Sequence, residues 1–529
     1  MPRSSLRPDA VSIEVFQHLF AGIAEEMGAK LRKCAFSPNI KERRDFSCAI
    51  FDARGRQLAQ AAHIPVHLGS TPASVHAALE AVPRWQRGDA VLLNDPFFGG
   101  THLPDLTLVS PVFCTRGAQK PDFFVVNRAH HADIGGAEAG SMAPAQEIFA
   151  EGLRIPPIRW VRAGAIDEDT TALILLNCRT PQERRADLLA QWAANRLGAE
   201  RLEELWREYG APVVRAHAEA LREHGRRSVA QVIAALPEGL VRFEDALDDD
   251  GFGQAPGPML RVAIERRGER LRVDFSASDP QMRGGLNANR AITLSAVLYV
   301  LRLLAPRDAP TNDAALDLID VITVKGTIVD ALPPAAVAGG NVETSQRLVD
   351  VLLGALAQLV PGRIPAASAG TMCNLSFGGR RADGSTFTYY ETLPGGMGAR
   401  PAAPGLDAVQ THMTNTRNTP IEALELELPV RVERLAVRRE SGGAGAHRGG
   451  DGLVKHLRFL VPVRAGLMAE RFLRAPYGLA GGAPGQSGSA RLARAAGGRE
   501  RLSSKWSRSL AAGDLLEIET PGGGGLGAP

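Results

Sequence analysis

The sequence predicts an α+β fold: a mixed, multi-part β-rich chain with a helical insertion and a β-rich C-terminal part. Three observations carry this. Helical spacing is concentrated near the N-terminus and between residues 180 and 235. Short β-rich runs ending in polar residues fill the stretch between them and return from Arg242. The 529 residues also include 56 glycines and 35 prolines, a combined share above the usual ~12%, so turns and close backbone approaches are frequent.

In chain order, Ile13, Phe16, Phe20, Ile23, Met27 and Leu31 recur three and four apart, which predicts one buried face of a helix beginning near Ser12. CAIFDARGRQLAQ then reads as two strands joined at an Ala-Arg-Gly turn. AVLLND from Ala90, DLTLVSPVF from Asp105 and DFFVVNRAH from Asp122 are further strands, each touching a cluster of polar residues of the kind that builds sites. Thr180-Pro181-Gln182-Glu183 supplies an N-cap, a proline at the first helical position and a capping-box acid. Leu188, Trp192, Leu202, Leu205 and Trp206 continue that helical pattern to about Ala235, with breaks expected near Gly198 and at Gly210-Ala211-Pro212. Strands resume between Arg242 and Ser278, Ala291 to Leu304 reads as a buried helix, and glycine-punctuated apolar runs after Pro429 read as a β domain. The expected parts are 1–240, bearing the site and the helical region 180–235, then 241–430, mixed, and 431–529, β-rich. The closing PGGGGLGAP reads as a flexible tail, with a docked glycine turn as the alternative.

Composition excludes several classes. With 61 basic against 58 acidic residues and a net charge of +3, a broad basic surface for nucleic acid is not indicated. An apolar share of 44% and a charged share of 22% exclude a mainly disordered chain. Five cysteines, widely spaced and without a CxxC pair, suggest neither a disulfide framework nor a cysteine zinc site, so a reducing compartment fits. The stretch from Ala291 to Leu304 contains Arg302 and is shorter than the ~20 residues of a membrane span, and the N-terminus lacks a signal-peptide apolar core. The reading is a soluble cytoplasmic protein.

The densest polar constellation is NDPFFGGTHLPD, ending at Asp105, followed by NRAHHADIGG from Asn127. Together they place Asp95, His102, Asp105, His130, His131 and Asp133 at the ends of neighbouring strands. Imidazole with carboxylate is the donor set of zinc, manganese or iron(II). His130 and His131 are adjacent, so in an extended strand they face opposite ways and only one ligates unless the backbone bulges. Glu42 and Asp45 precede the first strand, where a turn salt-bridged to Arg43 and Arg44 is the slightly favoured reading. His63 and His67 have the spacing of a helical metal clamp, but Pro65 between them argues for a loop. Later glycine-flanked loops carry Arg347, Arg400 and Arg417, guanidiniums suited to a carboxylate or phosphate, although such loops are equally self-satisfied turns. No GxxxxGK[ST], GxSxG or HExxH motif is present, so ATP, if involved, is expected on another chain.

RKCAFSPNIKERRDFSCAIFD, NDPFFGGTHLPD, HHADIGG, EIFAEGLRIPP, PPAAVAGGNVETSQR, HMTNTRNTPIEALE, SGGAGAHRGGDG and PGGGGLG, in this order from about Ser12 to Gly527, resemble the hydantoinase B/oxoprolinase family. That family includes the B subunit of ATP-dependent N-methylhydantoinase, the C-terminal half of 5-oxoprolinase and a subunit of acetone carboxylase. The resemblance implies a hetero-oligomer in which an A-type ATPase subunit binds ATP and phosphorylates the carbonyl of a hydantoin or 5-oxoproline, and this chain opens the activated ring with metal assistance. It also implies a divalent metal (manganese, zinc or iron) on His102, Asp105, His130, His131 and Asp133, with Glu42 a possible addition. His130, His131 and Asp133 are the catalytic candidates, and Arg347, Arg400 and Arg417 those for substrate or phosphate. Two alternatives stand beside it: an acetone-carboxylase-like subunit handling a phosphorylated ketone and carboxy-phosphate, and a non-catalytic scaffold for the ATPase.

Overall fold

The computed structural model describes residues 7–61, 63–142 and 144–529. About 30% of the chain is helix and 26% strand, in several sheets with no closed barrel, the mixed α+β architecture expected from the sequence. The first helix, α1 (Ala10–Cys34), is capped by Asp9, whose carboxylate accepts from Ser12 N at 2.8 Å while the Ser12 hydroxyl accepts from Asp9 N. Its Phe16, Phe20, Ile23, Met27 and Leu31 are buried, as their spacing predicts. After α2 (Pro38–Lys41) come β1 (Phe46–Asp52) and β2 (Gln57–Gln60), an antiparallel hairpin as expected. Then follow α3 (Thr71–Ala81), β3 (Ala90–Leu93), β4 (Asp105–Val112), β5 (Phe123–His130), β6 (Ile158–Arg162) and β7 (Ala165–Ile166).

These strands form one seven-stranded sheet in the order β2-β1-β5-β4-β3-β6-β7. Its centre, β4 and β5, is buried along its whole length because both faces are covered. Cys48, Ile50, Val125 and Ala129 point toward α1. Ala49, Phe51, Phe124 and Val126 point the other way, toward Val75 and Ala78 of α3. This two-residue alternation is what fixes which strand-end side chains face the same way.

The helical insertion is α4 (Glu168–Leu176), α5 (Pro181–Tyr209) and α6 (Ala211–Ala234). The break at Gly210 is as expected, but the break near Gly198 is not found. Gly198 lies inside α5, where a Cβ would overlap the Met27 sulfur and crowd Val125; the glycine there permits close helix packing and does not end the helix. Nor does Thr180 make the expected side-chain cap, although Pro181 does start the helix.

Beyond the insertion, β8 (Gly239–Ala246), β9 (Met259–Arg267), β10 (Arg270–Asp274) and β11 (Ile319–Ile322) form a second sheet ordered β11-β10-β9-β8. The apolar helices α7 (Arg290–Leu304) and α8 (Ser345–Leu359) share its core. The remaining strands are β12 (Asn374–Arg380), β13 (Thr386–Thr392), then, after α9 (Ile421–Glu427), β14 (Val430–Arg438), β15 (Gly452–Phe459), β16 (Val463–Met468), β17 (Ser489–Ala493), β18 (Arg499–Leu502), β19 (Lys505–Leu510) and β20 (Leu515–Glu519). They make two sheets, β13-β12-β16-β19 and β14-β15-β20-β17-β18, around a common core that includes Phe377, Leu457, Phe459 and Leu516. No described helix is long and apolar enough to cross a membrane.

The glycine-rich C-terminus is not a loose tail. Residues 521–526 are buried, threaded among 395–398, 441–450 and 477–485. Gly523 N donates to the Gly450 carbonyl at 2.9 Å, Gly524 N to Ala367 at 2.8 Å and Gly525 N to Ala483 at 2.9 Å. A Cβ on any of Gly522 to Gly525 would overlap a neighbouring carbonyl, so these positions are glycine because backbones pack where side chains ordinarily stand.

One buried acid gives a pH test of the packing. Glu151 is 1% exposed, and its Oε1 accepts from Val337 N and Ala338 N, both at 2.9 Å. Burial outweighs those bonds and raises its carboxyl from the usual 4.5 to about 8. Between these values the unfolded chain has released a proton that the folded chain keeps, so this group lowers stability as pH rises through that window, by up to ~1.4 kcal/mol per pH unit. Glu151→Gln is expected to remove that slope. Thermal unfolding at pH 5 and pH 8 should show the variant gaining on the wild type at the higher pH, and parallel shifts in both proteins would refute the assignment.

Candidate metal centre

The register of the first sheet builds the site. Asp105, the first residue of β4, lies directly opposite His130, the last of β5. His102 arrives from the turn before β4. Asp45 arrives from the residue before β1, where its carbonyl accepts from His130 N at 3.0 Å. A short 3-10 turn, Pro65–His67, adds His67. The result is four buried titratable groups around Asp105: His102 Nδ1 at 3.2 Å, His67 Nε2 at 3.2 Å, His130 Nδ1 at 3.6 Å, and Asp45 Oδ2 at 4.0 Å from His130 Nδ1.

Ligating atoms of His102, Asp105 and His130 all lie within 4.8 Å of one another. The hydrogen bonds this donor set lacks bear on whether it suits a cation. His102 Nδ1 faces the Asp105 carboxylate without hydrogen-bond alignment, and neither ring nitrogen of His102 nor Nε2 of His130 has a partner among the described residues. Unpaired buried polar atoms cost ~1–3 kcal/mol each, and a cation at this centre would relieve one nitrogen of each ring. Ligands on one ion at ~2.0–2.2 Å stand about 3–3.5 Å apart, close to the spacing observed here. Burial depresses the His67 and His130 imidazoles below their ordinary value, with Asp105 working the other way. Burial opposes ionisation of Asp105, but the facing His102 and His67 prevail and hold its carboxyl well below the usual range. Neutral imidazole and ionised carboxylate are the forms that bind a cation.

Neighbouring groups fix these ligands in place. His67 Nδ1 bonds Ser47 Oγ at 2.8 Å while its Nε2 faces Asp105, which also accepts from Thr101 Oγ1 at 3.0 Å. The Tyr390 ring stacks on His130, centroids 4.5 Å apart and planes 9° from parallel. Tyr390 is itself held by Arg43, whose guanidinium lies 4.9 Å from the ring centre and donates to the Tyr390 carbonyl at 2.9 Å. Asn39 Nδ2 donates to the His130 carbonyl at 2.8 Å. The centre faces a small cavity of about 20 Å³ whose wall includes Asp45, Ile64, Val66, Asn341, Val342, Met372, Tyr390, Thr392, Thr414 and Thr416. Asn341 lies in a buried π-helical turn, Gly340–Thr344, a local form that recurs at functional sites, and its Oδ1 has no partner among the described residues.

Other sequence candidates are placed elsewhere. His131 turns to the opposite side from His130, as strand alternation requires, and its Nε2 bonds Gln191 Oε1 at 2.9 Å. Asp133 is clamped by Arg179, whose N and Nη1 each donate at 2.7 Å. Glu42 closes α2 and is not in the cluster. Asp95 bonds Arg154 at 2.8 Å. Arg347 is wholly buried among Asp245, Asp350 and Glu470. Arg400 donates to the Pro404 carbonyl, and Arg417 lines a separate outer pocket. His63 and His67 are split, His63 facing that outer pocket and His67 the centre. Residues that sequence reasoning passed over or discounted, Asp45, His67 and Tyr390, come from three separate segments. No spacing rule joins them. Asp45 does approach Arg43, at 3.8 Å, so the expected turn salt bridge and the site share one carboxylate.

A buried imidazole–carboxylate cluster at the rim of an α+β sheet is a donor set of the kind that divalent cations take; the chain's relatives define its family. The hydantoinase B/oxoprolinase family model matches residues 9–529, and the chain belongs to that family. 5-oxoprolinase 1 of Arabidopsis thaliana is 38% identical over 98% of this chain and 42% of its own length. The chain therefore spans about two-fifths of that relative. An uncharacterized protein of Methanocaldococcus jannaschii is 37% identical over 98% of this chain and 91% of its own length. Among solved structures, the ATP-dependent caprolactamase from Pseudomonas jessenii superposes with a TM-score of 0.91 at 27% identity, covering 99% of this chain and 92% of that one. Nucleotide-free acetone carboxylase superposes with a TM-score of 0.88 over 98% of this chain and 76% of that one; at 20% identity this is a likeness of fold.

Proposed function

We propose that this chain is the ring-opening B subunit of an ATP-dependent cyclic-amide hydrolase, acting on a small lactam or imide such as a hydantoin or 5-oxoproline. The observation that carries the proposal is the His102–Asp105–His130 centre facing a small cavity lined by both polar and apolar side chains. Its free space in this structure is about 20 Å³, room for about one water, so a ring enters only as the surrounding wall moves apart. The names of the 5-oxoprolinase and caprolactamase relatives support a cyclic amide. The part of 5-oxoprolinase that this chain does not match is what a separate ATPase subunit would supply, in keeping with the lack of a phosphate loop here.

His102, Asp105 and His130 would hold a divalent manganese, zinc or iron ion, with Asp45 as a second carboxylate beside them. When bound, such an ion supplies Lewis acidity toward a carbonyl or phosphoryl oxygen. The chain's own groups do the positioning. His67 and Thr101 hold Asp105, and Tyr390 and Asn39 hold His130. The Thr392, Thr414 and Thr416 side chains and Asn341 offer hydrogen bonds to a polar ring, while Ile64, Val66, Val342 and Met372 exclude bulk water. His131 and Asp133 stand outside this arrangement.

The test is reconstitution with an A-type ATPase subunit. Ring opening of 5-oxoproline, hydantoin or caprolactam coupled to ADP release is expected only when both chains are present. ATP consumption that requires bicarbonate would assign the carboxylase-like reading instead. Full activity with a His102→Ala/Asp105→Ala chain would leave only the scaffold.

A further inference from the structure

The wall between the centre's cavity and the outside consists of two segments, residues 43–46 and 414–417, tied by Arg417 N donating to the Arg43 carbonyl at 2.9 Å. Their side chains are shared between its two sides. Asp45, Thr414 and Thr416 line the inner cavity, with Arg43 behind Tyr390. Arg44, Phe46, Asn415 and Arg417 line a second, outer pocket of about 300 Å³ that Arg32, from the last turn of α1, completes. Ile64 borders both chambers.

The outer pocket is concave and cationic. Arg32 and Arg44 are half-buried there, and Arg417 stands exposed at its edge. Among the described residues no ion pair closes on any of these three guanidiniums. One acid, Glu25, shares the pocket wall and lies 3.7 Å from His63, and Glu42 acts on Arg44 only at longer range. Arg44 holds a left-handed backbone, φ 57°, because its neighbours Arg43 and Asp45 are both committed to the inner wall. For a non-glycine residue that costs ~1 kcal/mol. Burial, and then the like charges of Arg417 and Arg32, work against its own charge. Such crowding is relieved by an oxyanion, to which guanidinium forks bind by paired, charge-assisted hydrogen bonds.

We infer that this outer pocket is an oxyanion subsite in which Arg32, Arg44 and Arg417 hold an anionic group of the substrate at the outer face of the wall. The substrate's identity rests on the hydrolase reading; the anion does not. The oxyanion comes from one of two sources, a phosphoryl group placed on the substrate by activation or a carboxylate that the substrate itself carries.

Titration calorimetry on the full chain, without partner or ATP, tests the subsite. Inorganic phosphate, 5-oxoproline and its carboxylate-free counterpart 2-pyrrolidone are the probes, against wild type, Arg417→Gln, Arg32→Gln and Arg417→Lys. Phosphate binding at one site per chain, weakened about tenfold by either glutamine variant and less by the lysine, is the expected result. Binding of 5-oxoproline but not 2-pyrrolidone, with the same sensitivity to the variants, assigns the subsite to a carboxylate; binding of phosphate alone assigns it to the phosphoryl group. Absence of binding by both anions, or anion binding that all three variants leave unchanged, overturns the inference. Circular dichroism of the variants separates lost binding from lost folding. Because the titration needs no turnover, failure of the ring-opening assay with phosphate binding intact would count against the hydrolase and not the subsite.

Discussion

Asp105→Asn is expected to strip the metal centre while leaving the fold intact. The substitution preserves volume but removes the one carboxylate that faces His102, His67 and His130 together, at 3.2, 3.2 and 3.6 Å. Three imidazoles then share the site with a neutral amide, and the remaining carboxylate, Asp45, stands 4.0 Å from His130, a much weaker cation site. Loss of a residue that merely supports a ligand typically lowers affinity 10–100-fold, so loss of a ligand should reduce metal from near one ion per chain to below about a tenth after dialysis. Elemental mass spectrometry of wild type beside Asp105→Asn and His131→Gln checks this. The His131 variant is the discriminating control: its side chain pairs with Gln191 on the opposite face, so it should retain metal. Equal metal in all three proteins would remove the centre from Asp105, and loss from the His131 variant alone would move it across the strand. Reconstituted turnover should follow metal content.

The second large effect lies far from the centre. Gly523→Val places a branched side chain where the Met397 carbonyl already stands, between backbone segments bonded on both sides. No flexible side chain can yield there. Overpacking against backbone belongs to the tail of mutational effects above ~4 kcal/mol, and a fall in Tm on the order of 10 °C is expected. Gly497→Val is the matched comparison: it is also a glycine in a C-terminal turn, but nothing lies within 4 Å of its Cβ position. Its positive φ, 96°, limits its penalty to local backbone strain. Thermal unfolding of the two variants should therefore separate widely, and similar melting temperatures would contradict the buried packing of residues 521–526.

Much of the local architecture was legible without the structure. The Phe16–Leu31 periodicity, the hairpin around Gly55, the strands beginning at Ala90, Asp105 and Asp122, and the apolar helix to Leu304 all follow from spacing and turn chemistry, which act over a few residues. Strand alternation alone also implied that His130 and His131 face opposite ways. The glycines misled where their role was non-local. Gly198 reads as a helix break but makes room for Met27, and PGGGGLG reads as a loose end but is enclosed by three distant backbone segments.

By itself, then, the sequence determined the α+β class, the helical insertion, the family, and the two motifs that carry His102, Asp105 and His130. Only the tertiary structure decided which of the candidates meet. The β4–β5 register sets Asp105 against His130, a turn 35 residues or more away in the chain supplies His67, and the approach to β1 supplies Asp45, whereas Asp133, Arg347 and Glu42 are led to other partners. The physical reason is that helical and strand periodicity are short-range properties of the chain. A metal centre is a coincidence of side chains from segments far apart, fixed by sheet pairing and by the burial that leaves their nitrogens and oxygens without other partners.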